Sequence, residues 1–384
     1  MEIYLDNSAT TRVTPDVVER MNEIYLNEYG NPSAKHLKGF NAEKIMKDSI
    51  SVIAKTLHAK DLEILITSGG TESDNLAIFG TAKAKLRQGK HIIASPIEHP
   101  AVVNTLIQLE KSGYEITFLP VDSEGVVNVN DVKSALRDDT ILVTIMMVNN
   151  EIGSRQPVEE IGEMLKSEAP NVYFHVDAVQ GYGKYQIRPD KCGIDLMSVS
   201  SHKIHGPKGI GFLYIREGVR ILPIIFGGGQ QKDMRPGTEN VPGIVGMAQA
   251  AKNIYTDFDE KIMRLYALKE RLSNGLSKLA DVRLNGPQGE AGAPQIVSAS
   301  FKDISSEVLL HALEDKGIYV SSGSACASNH PGISGTLKAI GTPDEYINGT
   351  IRFSMSSFNT EEEIDYVIKA VEELLPQLRK FIRK

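Results

Sequence analysis

Leu196-Met-Ser-Val-Ser-Ser-His-Lys-Ile-His-Gly-Pro-Lys-Gly-Ile-Gly211 joins an apolar run, a group of hydroxyls and imidazoles around one lysine, and a Gly/Pro-rich turn. A lysine at the end of a buried strand is costly to desolvate. It tends to lose its charge and becomes a competent amine nucleophile. Lys203 is therefore a candidate to hold a carbonyl cofactor as a Schiff base; the plainer alternative is a solvated lysine ahead of a turn. If Lys203 holds such a cofactor, the rest of the chain must supply the cofactor's other needs.

Outward from this stretch, strand-like and helical segments alternate. The strand-like runs are Glu63–Thr67, His91–Ser95, Glu115–Leu119, Ile141–Val148, Val172–Val176, Leu196–Ser200 and Gly211–Ile215. Helical periodicity falls between most of them, at Glu72–Arg87, Ala101–Lys111, Val129–Leu136 and Val158–Lys166. Several strands are uniformly apolar, which predicts an α/β domain with a mostly parallel sheet covered on both faces. Ahead of it, Leu5 to Thr11 reads as a short strand and a turn, and helices follow from Pro15 and over Gly39–Leu57. Past Val241 a long helical pattern, Ile244 to Leu279, reads as a connector. The remainder mixes strands (Val297–Phe301, Ile318–Ser321, Thr350–Met355) with helices (Ser306–Lys316, and from Thr360). The domain boundary is expected near 255–260.

Whole-chain properties narrow the class. The 384 residues predict two domains, and 41% apolar with 24% charged residues is ordinary for a globular enzyme. A formal net charge of −7 gives no reason to expect nucleic acid or an anionic membrane as partner. No apolar run is long enough to span a bilayer, and the first residues lack a signal-peptide pattern. The two cysteines, Cys192 and Cys326, exclude a dense disulfide framework and suit a reducing, cytoplasmic setting.

In parallel sheets, ligands bind beyond the carboxyl ends of the strands. Ser68-Gly-Gly-Thr-Glu-Ser73 offers glycines for close backbone approach, Thr71 as a helix cap and a helix N-terminus suited to a phosphate. A tight turn with a cap would use the same residues. His99 follows His91–Ser95 and suits stacking on an aromatic ring, or simple capping. Asn149-Asn-Glu-Ile-Gly153 supplies amides, or a turn. Asp177 closes an apolar run, where a carboxylate needs a partner; a pyridinium N–H is one, the start of a helix another. Gln180 is placed to reach the same ring's oxygen. A phosphate nest, a stacking imidazole, an acid for a ring nitrogen and an amine nucleophile, at successive strand ends, are the needs of pyridoxal 5'-phosphate (PLP).

At this point the chain resembles the class V aminotransferase group of PLP enzymes, and within it the NifS/IscS-type cysteine desulfurases. Tyr4-Leu-Asp-Asn-Ser-Ala-Thr-Thr11, Gly30-Asn-Pro-Ser33, Thr67–Ser73, Glu98-His99, Val148–Gly153, His175-Val-Asp-Ala-Val-Gln180, Ser200-Ser-His-Lys203, Arg235-Pro-Gly-Thr-Glu-Asn240, Ser321-Ser-Gly-Ser-Ala-Cys-Ala-Ser328 and Ile351-Arg-Phe-Ser354 carry the likeness over nearly the whole chain. The resemblance implies PLP-dependent fold type I, with a large domain at 15–258 built on a mostly parallel seven-stranded sheet. It also implies a smaller α+β domain from 1–14 and 259–384. It implies that Lys203 forms the Schiff base, Asp177 pairs the ring nitrogen, Gln180 contacts the phenolic oxygen and His99 stacks and serves as acid/base. Gly70, Thr71, Ser200 and His202 would hold the phosphate, and Thr238 would reach the neighbouring subunit's site in a homodimer. Asn150 and Arg352 would bind the substrate amino acid. Departures are Gly70 for alanine, Asp74 for asparagine, Met147 for histidine and Ser357 for arginine. Asp74 is expected to add a negative charge behind the phosphate.

Cys326 lies among residues that permit turns and motion, so a mobile loop bearing an exposed nucleophile is expected. Cys192, in an ordinary connection, reads as a small buried hydrophobe. The implied reaction is L-cysteine to L-alanine with sulfur left on Cys326 as a persulfide, bound for an iron–sulfur scaffold or a tRNA-thiolation protein. Selenocysteine lyase, cysteine sulfinate desulfinase and transaminase activities are the alternatives on the same scaffold. For a non-enzymatic metal or sulfur carrier using His99, His202, His205 and Cys326, the His202/His205 spacing suits a metal on a turn, but no Cys-x-x-Cys or His-Glu-x-x-His pattern supports it, and no metal is expected.

Overall fold

The apolar runs fold as strands because their aliphatic side chains are buried on both faces of one sheet. The structure is a computed structural model that describes residues 2–322 and 334–380. The chain begins with β1 (Ile3–Tyr4), α1 (Pro15–Asn27) and α2 (Leu37–Thr56). Alternation follows: β2 (Ile64–Thr67), α3 (Gly70–Ala84), β3 (His91–Ala94), α4 (Pro100–Lys111), β4 (Glu115–Phe118), α5 (Val129–Ala135), β5 (Thr140–Thr144), α6 (Val158–Glu168), β6 (Tyr173–Asp177), β7 (Leu196–Ser200) and β8 (Gly211–Ile215).

Strands β2 to β8 make one sheet in the order β2-β8-β7-β6-β5-β3-β4. The β3–β4, β3–β5, β5–β6 and β6–β7 pairs are parallel, and β8 runs antiparallel to both its neighbours. The mostly parallel seven-stranded sheet is as expected. One face packs Ile66, Val143, Phe174, Val176 and Phe212 against Val17, Ile53, Ile161 and Ile244 from α1, α2, α6 and α7 (Val241–Tyr255). The other packs Ile92 and Leu142 against Ile78 of α3 and Leu106 of α4, and Leu65, Leu196 and Leu213 against Leu76. Each such side chain contributes about 1.5–3 kcal/mol on leaving water.

Beyond α7 come α8 (Phe258–Leu276), β9 (Val282–Asn285), β10 (Ile296–Phe301), α9 (Ser306–Glu314), β11 (Ile318–Tyr319), β12 (Ser321–Ser322), α10 (Gly335–Ala339), α11 (Asp344–Ile347), β13 (Thr350–Ser354) and α12 (Glu361–Arg379). An antiparallel sheet, β12-β13-β10-β9, packs under α8, α9 and α12 around Leu272, Phe301, Leu309, Phe353 and Val367. The N-terminal segment belongs here: β1 pairs with β11, and Ile3 and Leu5 enter this core. It then crosses back. Ser8 N donates to Ser354 Oγ (2.8 Å) and Thr11 N to the His202 carbonyl (2.9 Å), so residues 7–11 lie between the two sheets, against Lys203.

Three details differ from the sequence reading. The pattern over 244–279 is two helices rather than one connector. Asp257 takes a left-handed φ of 50°, which no helix continues through, and Asn240 caps α7 through Gly243 N. The Ile318–Ser321 run splits into β11 and β12, which join different sheets. Strand β9 and the short helices α10 and α11 were not anticipated; they are four or five residues each, too short for a periodic pattern to emerge.

Candidate active site

Because β3, β5, β6 and β7 are parallel, and β2 runs with them across β8, their carboxyl ends open on one edge of the sheet. A cavity of about 280 Å³ lies there. Lys203, Asp177, Gln180, His99, Gly70, Thr71, Ser200, His202, Asn150 and Arg352 all line it. Ten residues spread over nearly three hundred positions thus meet in one space.

Asp177 is the last residue of β6 and is buried. No helix follows it; its Oδ1 accepts from Val179 N (2.9 Å) in an Asx turn, so the capping alternative fails. Burial pushes the Asp177 carboxyl up, while His99 and Lys203 pull it down. A cationic ring N–H would add a counter-charge for this buried acid.

His99 caps α4: its Nδ1 accepts from Ala101 N (3.1 Å), which assigns the ring proton to Nε2. Burial holds its pKa below the usual imidazole value, with Lys203 adding to the effect, so the ring is neutral at pH 7. His202 bonds Thr10 Oγ1 through Nδ1 (3.2 Å) and is held down to about 4, mainly by burial and then by Lys203. Lys203 ends the 3₁₀ turn after β7 and donates from Nζ to the carbonyls of Ser8 and Ala9 (2.8 Å to Ala9). The crossing N-terminal segment therefore orients the amine.

The first turn of α3 faces the same cavity. Thr71 does not cap the helix, as expected from sequence; Gly69 is the N-cap, with φ 148°, which favours glycine. A Cβ at Gly70 would come within 2.8 Å of Val179 Cγ2, so glycine here makes room for the valine. The backbone N–H groups and positive end of a 15-residue helix, beside Ser200 and His202, form an anion site. Glu72 pins it from outside, accepting from Ser68 N (2.7 Å) and Arg235 Nε (2.8 Å). Burial, the largest single influence, would raise the Glu72 carboxyl, but the Arg235 and Ser68 bonds together outweigh it and hold it down.

Arg352, on β13 and 4% exposed, brings the second sheet to the site. Its Nη1 donates to Asn150 O (2.9 Å) and its Nη2 to Asp6 Oδ1 (2.8 Å), while Nε is buried without a partner. Of five N–H donors, the remaining ones are available to a carboxylate in the cavity.

Two acids escaped the sequence reading as site residues. Asp74 is 1% exposed, and its Oδ1 sits 3.6 Å from His175 Nε2. That contact is not an ion pair. His175, bonded to Thr144 and Ser198, is kept neutral by burial with a pKa near 3. Burial, then the Asp177 charge, pushes Asp74 well above the carboxylate range. Burial therefore opposes the negative charge expected at Asp74. Glu98 is likewise raised by burial; its Oε1 accepts from Met146 N (2.7 Å), and Oε2 has no hydrogen-bond partner among the described residues.

Thr238 is exposed and outside this cavity. Cys326 lies outside the described residues. The described chain on either side is anchored near the cavity: Ser321 pairs with Arg352 across β12–β13, and Ser334 and Thr336 donate to Glu151 at 2.5 and 3.1 Å. Cys192 is buried, as read. Among the described residues no three His, Cys, Asp or Glu side chains gather as metal ligands, and no helix is long and apolar enough to cross a membrane.

A lysine, an acid for a ring nitrogen, a stacking imidazole and a helix-end phosphate nest on such a sheet define an α/β enzyme of the PLP-dependent class. The chain belongs to the class-V aminotransferase family, whose pattern (Aminotransferase class-V) matches residues 3–367 and whose members depend on PLP. It is 46% identical over 377 residues to "Cysteine desulfurase IscS" of Methanosarcina thermophila, covering 98% of this chain and 93% of that protein. It is 45% identical over 385 residues to the protein of the same name from Klebsiella pneumoniae, covering 99% and 94%. Among solved structures, one described as "NIFS-LIKE PROTEIN" superposes with a TM-score of 0.93 at 39% identity, covering 98% of this chain and all of that one.

Proposed function

We propose that the protein is a cysteine desulfurase that converts L-cysteine to L-alanine and leaves the sulfur on Cys326. The observation that carries the reading is the single cavity in which Lys203, Asp177, His99, the α3 N-terminus and Arg352 converge. Support also comes from relatives and a solved structure that bear the name cysteine desulfurase at 29–46% identity.

The residues divide the work. Gly70 and Thr71 amides, Ser200 and His202 would hold the cofactor's phosphate, Asp177 would pair the ring nitrogen, Gln180 the ring oxygen, and His99 would stack on the ring. Bound PLP supplies an electron sink that makes the substrate Cα–H acidic. Arg352 grips the substrate carboxylate through its remaining N–H groups, with Asn150 beside it. Lys203, held by the Ser8 and Ala9 carbonyls, anchors the cofactor and then takes the Cα proton. The Cys326 thiolate attacks the substrate sulfur: an S–S bond forms, the Cβ–S bond breaks, and carbon keeps the electron pair and is protonated to the alanine methyl. His99, neutral with its proton on Nε2, is placed to pass protons to and from the thiol groups. The persulfide then serves an acceptor, an iron–sulfur scaffold or a tRNA-thiolation protein, in the cytoplasm. Thr238, exposed beside the Arg235–Glu72 pair, completes the neighbouring subunit's phosphate site in a homodimer.

Two variants test the assignment. Lys203→Ala should abolish the visible absorbance of covalently held PLP, and a retained covalent adduct would overturn the role of Lys203. Cys326→Ala should still bind PLP and L-cysteine yet form no persulfide; normal sulfide release would move the nucleophile elsewhere. Alanine yield on cysteine, selenocysteine and cysteine sulfinate separates the desulfurase from its scaffold-mates.

A further inference from the structure

Lys184 is a cation that the chemistry above does not use. Its neighbours fix where it goes. Tyr182 is buried against Phe212 and Tyr255 (centroids 5.5 and 5.4 Å), and Gly183 turns with φ 76° while its N–H donates to Tyr255 Oη (3.1 Å). With the two preceding residues tied, Lys184 is only 8% exposed. Its ammonium makes no hydrogen bond or ion pair among the described residues. Burial alone lowers its pKa to about 8, which still leaves it charged at neutral pH.

Lys184 lines a chamber of about 20 Å³, room for one water or one monatomic ion. Lys203 and Gln180 line both this chamber and the cofactor cavity, so they form the partition between the two. Lys261 and His205 complete the basic lining. Lys261 donates to the carbonyls of Asn253 (2.7 Å) and Thr256 (2.5 Å), which are neutral partners. His205 gives its Nδ1 proton to Arg12 O (2.9 Å) and is itself neutral, held near pKa 4 by burial and then by Lys184. No carboxylate lines the chamber among the described residues.

A buried charge needs compensation, and neutral carbonyls supply it only in part. Gln295 is 2% exposed, gives its Nε2 to Gln180 O (3.1 Å), and leaves Oε1 without a partner. A water would satisfy that oxygen but not the charge on Lys184. We propose that the chamber is a binding site for one small monovalent anion of the halide class, held by Lys184 behind Lys203. The site is separate from the phosphate nest and from the Arg352 carboxylate grip. It stands or falls independently of the proposed reaction.

The test uses the PLP-loaded protein, with bromide and chloride as probes. Crystals equilibrated in sodium bromide should give an anomalous peak inside the chamber, within hydrogen-bond reach of Lys184 Nζ. In solution at constant ionic strength, the protein should broaden the chloride NMR line. That excess broadening should be lost in Lys184→Met and kept in Lys184→Arg, which preserves the charge if the methionine variant fails to fold. Bromide peaks on the surface with none in the chamber would mean water only and would overturn the site, as would broadening unaffected by Lys184→Met.

Discussion

Asp74 and Glu98 stand beside Asp177 as acids whose carboxyls burial pushes up, and this has a measurable sign. An aspartate in the unfolded chain ionises near pH 3.9, whereas burial raises Asp74 well above its usual range in the folded protein. The native state therefore binds more protons than the unfolded one above pH 4. Stability present in full below that pH is lost as pH rises towards the folded value, by about 1.4 kcal/mol for each unit over which the proton is held. Asp74→Asn removes the penalty with little change of shape. In protein freed of PLP, its Tm should exceed that of the parent at pH 8, and the gap should close towards pH 4; a gap that is constant with pH would refute a raised Asp74. Lys203 and Asp177 were legible because each ends an apolar run. The charge state of Asp74 was not, because it is set where α3, the Glu98 turn and β6 meet.

At the scale of elements, the start of α3 is a matched pair with the turn after β6. Gly70→Ala would drive a methyl to 2.8 Å from Val179 Cγ2, and overpacking of this kind costs about 1–3 kcal/mol. Since the clash falls at the phosphate nest, PLP affinity should drop about tenfold or more, the equivalent of ~1.4 kcal/mol. Val179→Ala in the same chain should restore most of it, and a titration showing no rescue would mean the glycine serves the backbone instead. The alternation of strands and helices was readable from apolar runs and helical spacing. The break between α7 and α8 was not: Thr256-Asp257 is polar and exposed, and its left-handed turn follows from each helix packing on a different core. Thr71 was misread as a cap for a related reason, since Gly69 already supplies the turn and frees the threonine to face the cavity.

Across the whole molecule, one buried lysine fastens the seam between the two cores. Lys269 of α8 donates to the carbonyls of Pro287 (3.3 Å), Gly289 (3.1 Å) and Ala293 (3.0 Å). Ala293 N in turn donates to Gly153 O (2.8 Å), three residues beyond Asn150. Lys269→Met would leave buried carbonyls unpaired and should destabilise the protein by about 2–4 kcal/mol, lowering substrate affinity as the Asn150 turn loosens. Denaturant unfolding checks the first part and the KM for L-cysteine the second; an unchanged midpoint would remove Lys269 from the seam. We propose 15–258 as the large domain and 1–14 with 259–384 as the small one, supported by the helix break at Asp257 and by Ile3 and Leu5 packing into the second core.

The sequence by itself determined the parallel sheet, the strand-end polar residues and the order in which they occur, because apolar periodicity and turn chemistry are local properties. Its motif likeness extended that to a PLP enzyme and pointed to Cys326 as the proposed sulfur acceptor. Only the tertiary structure decided which acids burial pushes up, which glycine makes room for a valine, and that Lys203 rests on the carbonyls of a segment nearly two hundred residues away. Those outcomes depend on burial and on contacts between distant elements, which no window of sequence contains.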